Sequence, residues 1–349
     1  MSRMLVPSKT FIRSRALVRV RRPALATGAA ALFLCGCGGG VVTPNSASSP
    51  SSPNAVQAGP QLGYAWKTQD QTLRPILGVP GSSQTGASVV PAASFVAGVS
   101  SSPAATALLI GTDQQVYRMA LPSGTPAQIN LTAPSGAKIR FSPSGVAALV
   151  YVPGSLKASL VTSPASTPQV RQISVAAPVL DIAVSDAGTV VALLQATAGG
   201  TLNLLPAAGG QQQLAAVSGA GGMVFVGTSD DLLAADSVAN TLTLIRAAST
   251  TPSINQLPTA NLLKSPVAVG TALNGRWAVV ANGGEASVVQ VDLTGAVAAQ
   301  RVPCPSQPAV VEQLSGNGVF RFTPIGNTPT WIADITSPTP AMLFIPASN

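Results

Sequence analysis

Few side chains in this sequence are suited to acid–base or nucleophilic chemistry. Its 349 residues include no histidine, which excludes the Ser-His-Asp triad, the Cys-His pair and every zinc site with a histidine ligand. Ser135 and Lys138 have the spacing at which a lysine activates a serine nucleophile from the next helical turn. Pro134 and Gly136 oppose a helix there. The spacing is therefore interpreted as coincidence, and no catalytic residue is predicted.

The densest acidic cluster consists of Asp230, Asp231 and Asp236, and carboxylates suit hard cations such as Ca²⁺. Asp230 and Asp231 stand in a predicted turn, where other parts of the chain have Gly, Asn or Ser. Asp is a common turn residue, so these two are interpreted as turn-forming. We predict neither a metal site nor a cofactor site.

Three further charged residues are candidates because they interrupt apolar runs. Arg140 lies in KIRFS, Asp181 in VLDIAVS and Glu312 in AVVEQLS. Each run is short and rich in residues that favour β-strands. What these side chains can do depends on how the chain brings the three runs together.

The basic residues of the chain are concentrated at its start. Seven of the 19 Lys and Arg residues fall within positions 1–22, and no acidic residue precedes Asp70. Residues 37–349 have 12 basic and 11 acidic residues, spread widely. Nucleic-acid binding requires clustered Lys and Arg, so we exclude a nucleic-acid partner.

Residues 1–36 have the organisation of an export signal. A basic segment precedes the apolar stretch 24–36, which is too short to span a bilayer and has the length of a signal-peptide core. The stretch ends in Leu34-Cys35-Gly36-Cys37, which resembles the lipobox of bacterial lipoproteins, with cleavage expected after Gly36. The resemblance implies lipidation of Cys37, although a plain secretory or anchoring segment with a chance Cys is the alternative.

Residues 37–58 form a Gly/Ser/Pro-rich tether between the lipidated Cys37 and the domain that we predict over 59–349. Gly38 is not the Asp that retains many Gram-negative lipoproteins at the inner membrane. The resemblance therefore implies the outer membrane, at its periplasmic face or at the cell surface. Cys304 would then be the single cysteine of the domain, and we interpret it as a buried, inert thiol.

From residue 59 onward the chain repeats with a period of about 43 residues. Short turns recur at Gly59-Pro60, Ser102-Pro103, Ser144-Gly145, Ala187-Gly188, Asp230-Asp231, Asn274-Gly275 and Asn317-Gly318. One strand-like run precedes most turns, two follow each turn, and a fourth run ends most units. Four short strands in such a unit are typical of a β-propeller blade.

The predicted fold is therefore all-β, a propeller of seven blades with four antiparallel strands each. Residues 52–58 would make a poor innermost strand for the first blade, so six blades with an appended N-terminal hairpin remain an alternative. Tandem β-sandwiches would not enforce the 43-residue period. In this arrangement Arg140, Asp181 and Glu312 fall near innermost strands and face the channel, but at positions of the repeat that are not equivalent.

Two segments carry a family resemblance. Trp277 to Gly295 (WAVVANGGEASVVQVDLTG) resembles the YVTN-type propeller repeat, and Ile139 to Gly145 (IRFSPSG) resembles the turn of WD40-like propellers. Both motifs imply blade geometry and no particular chemistry. They support the fold rather than an activity.

The sequence thus indicates a lipid-anchored envelope propeller that binds a protein or ligand as a scaffold. The expected partners are the membrane, through the lipid anchor, and an unidentified envelope protein or polymer. The alternative is a lactonase-like or other hydrolytic propeller with its site in the central channel. Related lactonases use Arg, His, Glu or Ca²⁺, and this sequence has no His and few acids. A purely structural surface protein is the third possibility.

Overall fold

The computed structural model of the chain describes residues 59–91 and 93–347. These residues form 27 β-strands in seven antiparallel sheets. The described residues contain no helix long and apolar enough to cross a membrane. The predicted signal peptide, Cys37 and the tether lie outside the described residues.

Each sheet is one blade, and its strands pair in chain order from the innermost strand outward. The innermost strands are β1 (Gln61–Lys67), β4 (Phe95–Ser101), β8 (Lys138–Phe141), β12 (Val179–Val184), β16 (Ala220–Phe225), β20 (Pro266–Thr271) and β24 (Glu312–Gln313). The second strands are β2 (Thr72–Val79), β5 (Thr106–Gly111), β9 (Ala147–Tyr151), β13 (Val190–Gln195), β17 (Leu232–Asp236), β21 (Trp277–Asn282) and β25 (Val319–Arg321).

The outer halves of the blades complete the sheets. The third strands are β3 (Ser82–Thr85), β6 (Gln115–Ala120), β10 (Lys157–Thr162), β14 (Gly200–Leu205), β18 (Thr241–Arg246), β22 (Ser287–Asp292) and β26 (Thr330–Asp334). The outermost strands are β7 (Ala127–Thr132), β11 (Gln169–Ser174), β15 (Gln212–Val217), β19 (Ser253–Gln256), β23 (Gln300–Pro303) and β27 (Leu343–Ile345).

Burial decreases from the second strand of a blade to its outer edge, and the sequence of each strand follows this gradient. The second strands β5, β9 and β21 are buried along their whole length. They read as continuous apolar runs because neighbouring blades cover both of their faces. The outermost strand β19 (SINQ) is exposed throughout. The continuous apolar runs of the sequence are therefore the second strands, in the interior of each blade.

Seven hydrophobic clusters hold the blades together, one between each pair of neighbours. Each cluster combines buried residues of two successive blades. The seventh joins the ends of the described chain, where Leu62 and Ile76 of blade 1 pack with Ile332 and Ile345 of blade 7. The prediction of a seven-bladed propeller is confirmed, and the six-bladed alternative is wrong because blade 1 packs against both of its neighbours.

Blade 1 differs from the prediction in its register. The sequence predicts the repeated turn of the first unit at Gly59-Pro60, but the strand after that turn, β1, is the innermost strand of the blade. Its pairing with β2 shifts near its start, between Gln61 and Gly63, as it does in four other innermost strands. The turn equivalent to the repeated one therefore lies between β1 and β2. Within the described residues this blade has three strands, where the other six have four.

Candidate functional site

The innermost strands enclose a central cavity with a volume of about 520 Å³. Blades 2, 3, 5, 6 and 7 contribute its lining, and both Arg140 and Glu312 belong to it. Much of the remaining wall is apolar, with Val99, Val224 and Phe320 among its residues. Two of the sequence-predicted candidates, Arg140 and Glu312, therefore share the surface of this cavity.

Arg140 and Glu312 occupy equivalent positions of their blades, which corrects the sequence-based expectation. Each lies two residues before the residue whose N–H closes the turn to the second strand, Ser142 in blade 3 and Leu314 in blade 7. The equivalence cannot be seen in the sequence because the turn glycines are at different distances from these residues. Gly145 is the third residue after Ser142, and Gly318 is the fourth after Leu314. Counting from the glycines shifts the two units by one residue.

Asp181 is not equivalent to these two, as expected, but it contacts one of them. The Arg140 guanidinium donates from Nη2 to both carboxylate oxygens of Asp181, at 2.9 and 3.1 Å. Its Nη1 also donates to the Met223 carbonyl oxygen at 3.4 Å. These bonds connect blades 3, 4 and 5, so Arg140 links three neighbouring blades at the wall of the cavity.

A second set of groups holds Asp181 in place. Tyr151 donates its hydroxyl to Asp181 Oδ1 at 3.0 Å, and the backbone N–H of Ile182 donates to the same oxygen at 3.0 Å. The Asp181 side chain is 8% exposed, while that of Arg140 is 37% exposed. The carboxylate is thus buried behind the guanidinium, and the guanidinium faces the cavity.

The protonation states of this group follow from its burial. Burial is the largest single influence on the pKa of Arg140 and would lower it, but the interactions with neighbouring groups, the Asp181 carboxylate foremost and then Tyr151, together outweigh it and raise that pKa. The charge of Glu312 acts in the same direction, which places it within electrostatic range. Burial, and then the charge of Asp181, raises the pKa of Tyr151. Arg140 stays charged and Tyr151 stays neutral at physiological pH.

Glu312 has its own buried counter-charge, which sequence reasoning missed. Arg321, opposite it on β25, donates from Nη2 to Glu312 Oε2 and from Nη1 to the Thr323 carbonyl oxygen. The Arg321 side chain is 3% exposed, against 40% for Glu312. A lone arginine inside the apolar run VFRF was the available signal. Tyr151, at the end of the buried run AALVY, was missed in the same way.

The remaining sequence candidates do not form a site. Asp230 and Asp231 accept backbone N–H groups of Ser249 and Ala247, which agrees with their interpretation as turn-forming residues. The described residues contain no group of three or more His, Cys, Asp or Glu that could hold a metal ion. Lys138 begins β8 and lines the cavity, whereas Ser135 is in the preceding turn outside it.

The Cys304 side chain is buried, as predicted. Burial raises the pKa of its thiol, so little thiolate forms at neutral pH and the thiol is a poor nucleophile.

Comparison with known proteins supports the fold alone. No protein-family profile matches the sequence, and no curated protein matches it. Among solved structures, a functionally unknown protein of Desulfotomaculum acetoxidans aligns with a TM-score of 0.57 at 9% identity, covering 83% of this chain and 100% of that one. AztD of Citrobacter koseri aligns with a TM-score of 0.57 at 16% identity, covering 82% and 83%. Virginiamycin B lyase of Staphylococcus aureus aligns with a TM-score of 0.51 at 13% identity, covering 79% and 92%.

Proposed function

We propose that this chain is an exported lipoprotein, anchored to the bacterial outer membrane through Cys37, whose propeller is a non-catalytic binding module for a ligand or an envelope partner. The observation that carries the binding role is the arrangement of the cavity charges. Arg140 and Glu312 face the cavity, and each is bonded to a more deeply buried counter-charge. Because each of these two groups is held in an ion pair, it can recognise a charged ligand but is poorly placed to transfer a proton.

General acid–base catalysis favours a group whose pKa lies near the working pH. The raised pKa values of Arg140 and Tyr151 move both groups away from that range. Of Arg140, Asp181 and Glu312, Asp181 has the most buried side chain, and Arg140 separates it from the cavity. These features favour recognition of a charged ligand over its chemical conversion.

The lyase among the similar folds suggests the enzymatic alternative. One of its solved structures, with quinupristin, is described as catalytically inactive after replacement of a single histidine by alanine. This chain has no histidine, so that residue has no counterpart here. Incubation of the purified protein with quinupristin should therefore leave the compound intact, and its turnover would overturn the non-catalytic proposal.

The anchoring is tested by expressing the full chain in a Gram-negative host and analysing its N-terminal peptide by mass spectrometry. We expect a peptide that begins at lipidated Cys37. Cys37→Ala should release the protein from the membrane fraction. Cys35→Ala is the matched control, because Cys35 is removed with the signal peptide, and it should stay membrane-bound. An unmodified Cys37 in the wild-type protein would contradict the proposal.

A further inference from the structure

We propose that the central cavity binds a small zwitterion of the amino-acid or short-peptide class, with its anionic end at Arg140 and its cationic end at Glu312. The proposal deepens the binding role proposed above and rests on it. It does not depend on where the protein is located.

The strands that carry the two charged residues are on nearly opposite sides of the ring, β8 in blade 3 and β24 in blade 7. Blades 3 and 7 are separated by three blades in one direction and two in the other. Because Arg140 and Glu312 occupy equivalent positions of these blades, they lie at the same level of the channel. A ligand that crosses the cavity at this level meets a cation at one wall and an anion at the other. Lys138, which also lines the cavity on blade 3, strengthens the cationic wall.

Both charges are exposed and yet held in place. Arg140 is fixed by Asp181 and the Met223 carbonyl oxygen while more than a third of its side chain remains exposed. Glu312 is fixed by Arg321 through Oε2 and is 40% exposed. Groups that are already ordered lose little further conformational freedom when a ligand binds. Neither charge therefore has to be assembled by the ligand.

The rest of the wall indicates what connects the two ligand charges. At the same level the other blades that line the cavity contribute Val99, Val224 and Gly270. These residues offer van der Waals contact and little side-chain hydrogen bonding. A volume of about 520 Å³ is sufficient for a short peptide with small apolar side chains. Alanine peptides combine that body with one positive and one negative terminus.

The test uses three probes of nearly the same shape: trialanine, N-acetyl-trialanine and trialanine amide. Binding to the full-length wild-type protein is measured by isothermal titration calorimetry. Dialanine and tetraalanine are titrated as well, to find the peptide length that binds best. Acetylation removes the charge expected at Glu312, and amidation removes the charge expected at Arg140. Each cap should weaken binding about ten-fold or more, as expected for the loss of a charged hydrogen bond.

Glu312→Gln assigns the positive end of the ligand. In this variant trialanine and N-acetyl-trialanine should bind equally, while the amide should still bind more weakly than trialanine. Glu285→Gln is the matched control, because Glu285 is similarly exposed and pairs with Arg301, and neither residue lines the cavity. This control should keep the wild-type preference for both free termini.

The double variant Arg140→Gln/Asp181→Asn assigns the negative end without leaving one buried charge unpaired. It should lose the preference for trialanine over its amide. Equal affinities of the three probes for the wild-type protein, or no heat of binding at millimolar concentrations for any chain length, would overturn the proposal. These wild-type measurements do not require any variant to fold, and membrane fractionation tests the anchoring separately.

Discussion

Arg321 is a buried cation whose charge is balanced mainly by one neighbouring carboxylate. Its side chain is 3% exposed, and its Nε has no hydrogen-bond partner in the described residues. Asp181 is in the reverse situation, a buried anion balanced by Arg140. In both pairs the buried member sets the position of the member that faces the cavity. At the residue scale, the stability of the site and its recognition properties therefore depend on the same ion pairs.

Replacing Glu312 by Gln should destabilise the protein because it leaves the Arg321 charge buried without a counter-ion. Removing one partner of a fully buried pair costs about 3–5 kcal/mol. Because Glu312 is partly exposed, we expect about 2 kcal/mol, measured by urea unfolding. Glu285→Gln should change the stability by less than about 0.5 kcal/mol, as for other surface pairs. Equal losses in the two variants would contradict the role of Arg321.

Alkaline titration should show delayed ionisation of the tyrosines. The chain has three, and all three have raised pKa values: burial is the main cause for Tyr64 and Tyr151, and a hydrogen bond to Asp113 for Tyr117. A group with a raised pKa contributes stability below its unfolded pKa that is lost as the pH increases. Stability should therefore fall above about pH 10.

The measurement is absorbance at 295 nm with and without urea. Tyrosinate should form at higher pH in the folded protein than in urea, and Tyr151→Phe should remove the latest step. Coincident folded and unfolded titration curves would contradict the burial of the Tyr64 and Tyr151 hydroxyls.

At the scale of the strand and turn, polar side chains at strand ends fix the connections that apolar packing leaves undefined. Asp292 and Asp334 end the third strands of blades 6 and 7, and each accepts both the N–H and the hydroxyl of the threonine two residues later. Asn282 performs a related role at the end of β21. Asn282 therefore has a structural role that does not involve the cavity.

Asn282→Ala should cost about 3 kcal/mol, because a fully buried side chain loses three hydrogen bonds at once. Asn282 accepts the Lys264 N–H and donates to the Leu262 carbonyl oxygen and the Ser287 hydroxyl, at 2.9–3.0 Å. Thermal unfolding followed by circular dichroism measures the loss. Asn255→Ala, on the fully exposed strand β19, is the matched control and should lower the melting temperature only slightly. A similar decrease in both variants would exclude the anchoring role of Asn282.

At the scale of the whole molecule, side-chain packing closes the ring. Each described blade uses strands from one continuous part of the chain, so no described strand of the first blade completes the last. The closing interface instead consists of the hydrophobic cluster that joins blades 1 and 7. Ile345 of β27 is fully buried in this cluster. β27, the last described strand, is consequently part of the closure.

Truncation after Pro340, which removes β27, should open the ring locally. Ile332 and Leu62 would lose part of their packing, and deuterium exchange should increase most in β1, β2 and β26. The second strands β9, β13 and β17 should change least, because both of their neighbouring blades remain. Truncation after Ile345 is the control and should leave exchange unchanged. An equal increase in all blades would show that the ring opens only as a whole.

The sequence by itself determined the all-β class and the 43-residue repeat, predicted seven units with six blades as the alternative, and located the second strands of most blades. These follow from local patterns, because continuous apolar runs between turn residues define the second strands, and a regular period follows from stacking equal units. Only the tertiary structure decided the register of blade 1, the pairing of Arg140 with Asp181 and the role of Arg321. Arg140 and Asp181 are 41 residues apart and meet because successive blades stand side by side around the axis. No local sequence pattern predicts this contact, because it depends on how whole blades pack and on single-residue differences in the lengths of their turns.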